Sequence, residues 1–276
     1  MRILTTTVIA LLGLSAQSAA AEDFWSEELQ TEIYAERSIA PAGDLVALDA
    51  PYRAMNDPRT PLGATVHAPD GERVRRVSLI IDNNPMPVSA VFDLAQPQEA
   101  FSFSAEMRLN GPTPVRVVME TDTGALYMTE TFVKTSGVGA CAAPPGTDPV
   151  AALDTLGEME LALAPADGTA LAQLAAATGA TLAEPNALQA TLDIRHPSHS
   201  GLQMDQISLL YIPARYLQTL DVATDGRPLF TMTGSISLSE NPVVEFEVPA
   251  EAKRLQVRMR DTGGADVEQV FPLVHG

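Results

Sequence analysis

The chain contains one cysteine, Cys141, in a run of small residues: Thr135-Ser136-Gly137-Val138-Gly139-Ala140-Cys141-Ala142-Ala143-Pro144-Pro145-Gly146. No second cysteine can close a disulfide within the chain, and no bulky neighbour in the run shields the sulfur. Buried structural cysteines normally sit among apolar side chains, so this setting predicts a thiol displayed on an exposed, mobile arm. A nucleophilic cysteine needs a base, usually histidine. His67, His196, His199 and His275 are all distant in sequence, and an acidic chain tends to raise a thiol pKa. A self-activated enzyme nucleophile is therefore not expected. An inert thiol, an intermolecular disulfide and a site of covalent cargo attachment remain open.

A second cluster is His196-Pro197-Ser198-His199 with Asp205. Two histidines three apart plus a carboxylate could ligate a metal. Pro197 and Gly201 instead suit a rigid turn between strands, so no metal site is expected. Glycine-rich phosphate loops, zinc-ligand spacings and haem-attachment motifs are absent from the sequence, and no cofactor is expected. Asp82-Asn83-Asn84-Pro85 reads as a turn without chemistry of its own.

The elements that carry these residues follow from pattern. Arg2, an apolar run from Ile3 to Leu14 and Ala19-Ala20-Ala21 read as a cleavable signal peptide over residues 1–21. The predicted product is exported and periplasmic. The apolar run is too short to span a bilayer, and no membrane anchor is expected. A formal charge of −18 argues against nucleic acid as a partner. Trp25, Leu29 and Ile33 fall at helical spacing.

A stretch rich in proline and glycine, 41–63, precedes short strand-like runs at 74–81, 88–92, 100–109, 115–121 and 126–134, separated by turns such as Asp122-Thr123-Gly124. Strands return at 188–195, 206–211, 217–224, 229–237, 243–248, 255–260 and 267–273. Between the two sets, the Ala/Pro-rich residues 142–186 read as a linker with helical pieces at 149–163 and 169–178. The expected fold is all-β. Two immunoglobulin-like antiparallel β-sandwich domains, 22–141 with the cysteine arm and 187–276, should be joined by a partly helical linker and docked by their apolar faces.

Particular motifs carry a family resemblance. Ile194-Arg195-His196-Pro197, Gly201-Leu202-Gln203-Met204-Asp205, Ile212-Pro213-Ala214, Ser239-Glu240-Asn241-Pro242 and Asp261-Thr262-Gly263-Gly264 resemble SoxZ. Val77-Ser78-Leu79-Ile80-Ile81-Asp82-Asn83-Asn84-Pro85-Met86-Pro87, followed by Phe92, resembles the central hairpin of SoxY. In SoxY the chain ends in Gly-Gly-Cys-Gly-Gly, and that cysteine carries sulfur intermediates. Cys141 occupies the matching position, flanked by Gly137, Val138, Gly139, Ala140, Ala142 and Ala143, and its arm is internal to the chain. The whole resembles the fused SoxYZ-like carriers associated with quinoprotein dehydrogenases. The resemblance implies a non-enzymatic carrier in sulfur oxidation, including that of thiosulfate. A persulfide or S-sulfonate would ride on Cys141, and partner enzymes of sulfur oxidation or quinoprotein dehydrogenase systems would load and unload it. The alternative is an accessory binding module of a periplasmic quinoprotein dehydrogenase system that works through its sandwich surfaces.

Overall fold

The computed structural model describes residues 25–137, 139–143, 145–166 and 187–273. The signal peptide, the expected helix at 169–178, and Val138 of the arm lie outside the described residues. The chain divides into Met1–Arg37 and Ser38–Gly276. In the first unit, helical turns over Trp25–Leu29 continue into α1 (Gln30–Tyr34), as the four-residue apolar spacing requires.

The second unit is all-β, as its alternating patterns demand. Along β14 (Arg254–Asp261) Leu255, Val257 and Met259 are buried, while the residues between them are exposed or half-buried. This is the period-two signature of a strand with one wet face. The first-half strands are β1 (Ile39–Pro41), β2 (Val46–Asp49), β3 (Thr60–His67), β4 (Val74–Ile81), β5 (Val88–Gln98), β6 (Ala100–Met107), β7 (Thr113–Thr121) and β8 (Leu126–Val133). The remaining strands are β9 (Met159–Pro165), β10 (Ala187–Ile194), β11 (Leu217–Thr224), β12 (Arg227–Gly234), β13 (Val243–Pro249), β14 and β15 (Asp266–Pro272).

The expected docking of two separate sandwiches by their faces is corrected by how these strands pair. A larger sheet runs β1-β8-β7-β4-β5-β12-β11-β14-β15, and a smaller one runs β2-β3-β6-β13-β10-β9. The two halves therefore join edge to edge in both layers. In one layer β5 pairs with β12 (Phe92↔Met232); in the other β6 pairs with β13 (Phe103↔Phe246). An open strand edge leaves backbone N–H and C=O groups unpaired, and matching two edges satisfies both rows at once. The seam is filled by phenylalanines from both halves. Phe92 lies 4.4 Å from Phe103 and 5.8 Å from Phe230 between ring centroids, and Phe230 lies 5.2 Å from Phe246. One continuous apolar core spans the two halves.

Three further expectations are revised. Residues 149–163 hold only a short helical turn at Ala151–Leu153, and Met159–Pro165 forms edge strand β9 against β10. Met159, Leu161 and Leu163 alternate with Glu160 and Ala162, which is the period of a strand, and the segment pairs with the edge of β10. Residues 206–211 are not a strand. Asp205 Oδ1 accepts from the N–H groups of Ile207 and Ser208 (3.2 and 2.6 Å) and closes a local turn, leaving Ile207, Leu209, Leu210 and Tyr211 exposed. The Pro/Gly-rich stretch 41–63 contains β2 and the start of β3. Gly63 is required there, because a Cβ would fall 2.6 Å from the carbonyl oxygen of Phe103.

Candidate functional site

β8 ends at Val133, and the arm that follows is tied down. Asp57 Oδ2 accepts from the N–H of Ser136 at 2.9 Å and also from its hydroxyl. Gly137 and Gly139 then take positive φ, +83° and +75°, conformations that L side chains rarely adopt. These two glycines turn the chain inward. Residues 139–143 form a tight turn, with Ala142 N donating to Gly139 O (3.2 Å) and Ala143 N to Ala140 O (3.3 Å).

Cys141 is consequently buried, at 0% exposure, and the expectation of an exposed, freely accessible thiol is corrected. Small neighbours permit close packing as readily as they permit mobility. Ala140 is buried with the cysteine, Ala143 is half-buried, and Ala142 faces solvent. Both halves grip the turn. From the first half, Asn110 Oδ1 accepts from Cys141 N at 3.3 Å. From the second, the Ser200 hydroxyl donates to Cys141 O, and Gln203 Nε2 donates to Ala143 O at 3.0 Å.

Asn110 is itself held by the turn at 82–85. Asn84 Oδ1 accepts from Asn110 N (2.9 Å), while Asn84 Nδ2 donates to Arg108 O (2.7 Å) and Ser237 Oγ (2.9 Å). That turn was read from sequence as lacking chemistry, and its role here is to position the residues that clamp the thiol. Arg108, Asn110, Ser200 and Gln203 were not singled out as site residues. Their signal was present only as polar residues in turn-rich segments, Arg108-Leu109-Asn110-Gly111-Pro112 and Ser200-Gly201-Leu202-Gln203.

Burial sets the electrostatics. It pushes the Cys141 thiol up to about 11, with the nearby Arg108 charge pulling weakly the other way, so the docked thiol is neutral at pH 7. A thiol whose docked pKa exceeds its free value favours docking below the free value. That preference is lost as pH rises through about 11. Alkylation of Cys141 is therefore expected to keep accelerating past pH 9.5, where a free thiol with pKa of about 8.5 has levelled off. A plateau between pH 8 and 9 in a rate profile would contradict a docked, neutral thiol.

Arg108 is 2% exposed, and its Nη1 donates to the carbonyls of Ser198 (2.7 Å), Ile236 (3.4 Å) and Leu238. It lines a cleft of ≈400 Å³ together with Arg59, Ala140, Ala143, Gln203, Glu240 and Asn241. One wall of the cleft is thus the cysteine turn itself.

The histidines play a supporting part. His196 Nδ1 accepts from the N–H of Ser198 (2.9 Å), which assigns the ring proton to Nε2, 3.4 Å from Asp261 Oδ2. Burial lowers His196 to about 4, with Asp261 opposing the shift, and the ring is neutral near pH 7. Asp261 also accepts from Arg215 Nε (2.6 Å) and Ala265 N (2.7 Å). Ser198, His196 and Asp261 are in hydrogen-bonding sequence, but all three are buried and hold the loop 196–200 that supplies Ser200. Asp205 caps its own turn. Among the described residues no cluster of three His, Cys, Asp or Glu side chains is placed to hold a metal.

Comparison with known proteins adds the family. The model of "Sulfur oxidation protein SoxY" matches residues 30–141, and that of "Sulphur oxidation protein SoxZ" matches residues 180–272. Among solved structures, the sulfur carrier protein SoxY from Chlorobium limicola f thiosulfatophilum is 21% identical with a TM-score of 0.36, covering 44% of this chain and 99% of that one. A superoxide reductase (neelaredoxin) from Ignicoccus hospitalis is 12% identical with a TM-score of 0.27, covering 33% and 80%. No curated protein matches the chain.

Proposed function

The chain is a fusion of a SoxY and a SoxZ domain, and on that premise we propose that it is a periplasmic carrier holding a covalent sulfur intermediate on Cys141. One observation carries this reading: the SoxY match ends on the chain's single cysteine, and residues of both family domains close around it. The protein performs no turnover of its own. Enzymes of sulfur oxidation, or quinoprotein dehydrogenase-linked enzymes of the periplasm, load the thiol, oxidise its cargo and release it.

Burial of the thiol gives the carrier two states. In the docked state the cargo-bearing sulfur is neutral when free and shielded from adventitious oxidants. In the released state the turn at 139–143 lets go of Asn110, Ser200 and Gln203 and presents Cys141 to a partner. The docked turn is held by a few hydrogen bonds, each worth about 1 kcal/mol net, so release is within reach of partner binding.

Intact mass spectrometry of protein from its native periplasm tests the reading. We expect adducts in increments of sulfur or sulfonate on the peptide containing Cys141, and none in Cys141→Ser. Finding only free thiol and ordinary disulfide while the pathway is active would overturn it.

A further inference from the structure

We propose that a second cleft, at the far end of the seam from the cysteine turn, binds a small organic cation: a primary ammonium carried on an apolar body. Cys141 takes no part in it, so the site stands or falls apart from the carrier reading.

The joining of the two halves builds this cleft. β6 starts at Ala100, in its lining, and ends at Met107, next to Arg108 of the cleft beside the cysteine turn. β13 starts two residues after Asn241, which lines that same first cleft, and ends at Pro249, which lines the second. The two clefts therefore sit at opposite ends of the same strands. The second has a volume of ≈290 Å³. Phe101 reaches it from the first half, and Phe230 and Val248 from the second; all three are buried side chains of the continuous core. The rings of Phe101 and Phe230 meet edge to face, with centroids 5.6 Å apart. Apolar walls of this kind take an apolar body. At about 30 Å³ per displaced water, the cleft exchanges about ten waters for its ligand, the size class of a phenylalkylamine.

The polar groups set the charge of that ligand. Glu247 and Glu251 are in the lining, with no Lys, Arg or His among the described lining residues. Two carboxylates by themselves would be an ordinary solvated face, but Glu247 is half-buried, and its Oε2 is shut off from solvent with no hydrogen-bond partner. Burial raises its carboxyl pKa, and a hydrogen bond with Ser102 works against the shift. Across the β10–β13 pair, Gln189 stands opposite Glu247 and is 4% exposed. Neither Oε1 nor Nε2 of Gln189 has a hydrogen-bond partner, so amide and carboxylate do not answer each other. Buried polar groups left unpaired are costly and uncommon, and Gln189 and Glu247 gather three such atoms at one place.

A primary ammonium fits this setting. It brings three N–H donors and a full positive charge, and its hydrogen bonds to a carboxylate are stronger than neutral ones. Aromatic rings beside it add attraction for a cation. A neutral ligand would give Glu247 Oε2 a weaker bond, an anion would meet two carboxylates, and a bare cation would leave the phenylalanine wall unused.

Calorimetric titration of the purified full chain tests the proposal with four probes: 2-phenylethylammonium, the neutral 2-phenylethanol, the anionic phenylacetate, and ethylammonium, which lacks the ring. We expect 2-phenylethylammonium to bind at one site, about ten-fold more tightly than 2-phenylethanol, since a charge-assisted hydrogen bond is roughly twice as strong as a neutral one. Phenylacetate and ethylammonium should not saturate the protein in the same concentration range. Glu247→Gln should bring the ammonium down to the affinity of the alcohol, and Cys141→Ser should leave binding unchanged. Nuclear Overhauser contacts from the probe's ring to the methyl groups of Leu229 and Val248 locate it in the unaltered protein, and they decide the matter even where Glu247→Gln does not fold. Equal affinity for the ammonium and the alcohol, no saturable binding of the ammonium, or contacts elsewhere on the protein would each overturn the proposal. Binding unchanged in Glu247→Gln would overturn the role of that carboxylate. None of these results bears on whether Cys141 carries sulfur, so failure here is distinct from failure of the carrier reading.

Discussion

Replacing Ser200 and Gln203 together by alanine is expected to speed alkylation of Cys141 in the native protein about thirty-fold. The Ser200 hydroxyl bonds to the carbonyl of Cys141 itself, and Gln203 Nε2 bonds to that of Ala143, two residues on. Each bond contributes about 1 kcal/mol net, so their loss raises the released population by about 2 kcal/mol, at 1.4 kcal/mol per factor of ten. Asn110 still holds Cys141 N in the variant, which keeps the effect short of complete exposure. Both side chains also brace their own loop, since Gln203 Oε1 accepts from Ser200 N (3.1 Å) and Ser200 Oγ from Leu202 N (3.2 Å). The global unfolding midpoint must therefore be measured alongside the alkylation rate. Acceleration of less than two-fold would mean that these bonds do not hold the thiol in.

Loss of the Asp82 carboxylate, in Asp82→Ala, is expected to cost about 3–5 kcal/mol of stability. Arg116 is buried in β7, a strand buried along its whole length, and Asp82 receives its Nε (3.1 and 3.0 Å) and Nη2 (3.0 Å). Its Nη1 meets Glu130, whose side chain is 44% exposed. Removing Asp82 strips a buried guanidinium of its buried counter-charge, which costs more than the pair itself contributes. Replacing both partners, Asp82→Leu with Arg116→Met, should recover most of the loss, because the desolvation of two charges disappears with them. Urea denaturation checks both variants. A loss below 1 kcal/mol for Asp82→Ala would show that solvent or other groups answer Arg116. Asp82 begins the turn whose Asn84 props Asn110, so Asp82→Ala is also expected to loosen the cysteine clamp.

Much of the fold was legible in local pattern. The runs predicted at 74–81, 100–109, 115–121, 217–224 and 255–260 coincide with β4, β6, β7, β11 and β14 to within a few residues at each end. Alternation and turn residues are local properties, and a hairpin such as the one at Asp225-Gly226 is written in adjacent positions. The same locality explains the misplaced strand at 206–211, where apolar residues suggested burial but Asp205 turns the backbone back on itself.

The sequence by itself determined that the chain is all-β, that it carries one thiol among small residues, and that its two halves bear SoxY and SoxZ motifs. Only the tertiary structure decided what surrounds that thiol. Its partners Asn110 and Ser200 lie 31 and 59 residues away, on opposite sides of the arm and in different halves. The joining of β5 to β12 and β6 to β13 is equally remote in sequence. Edge pairing and burial are set by which surfaces meet once each half has folded, and no local pattern records that meeting. A run of alanines and glycines is compatible with a waving arm and with a tightly packed turn. The polar side chains waiting at the seam select the turn.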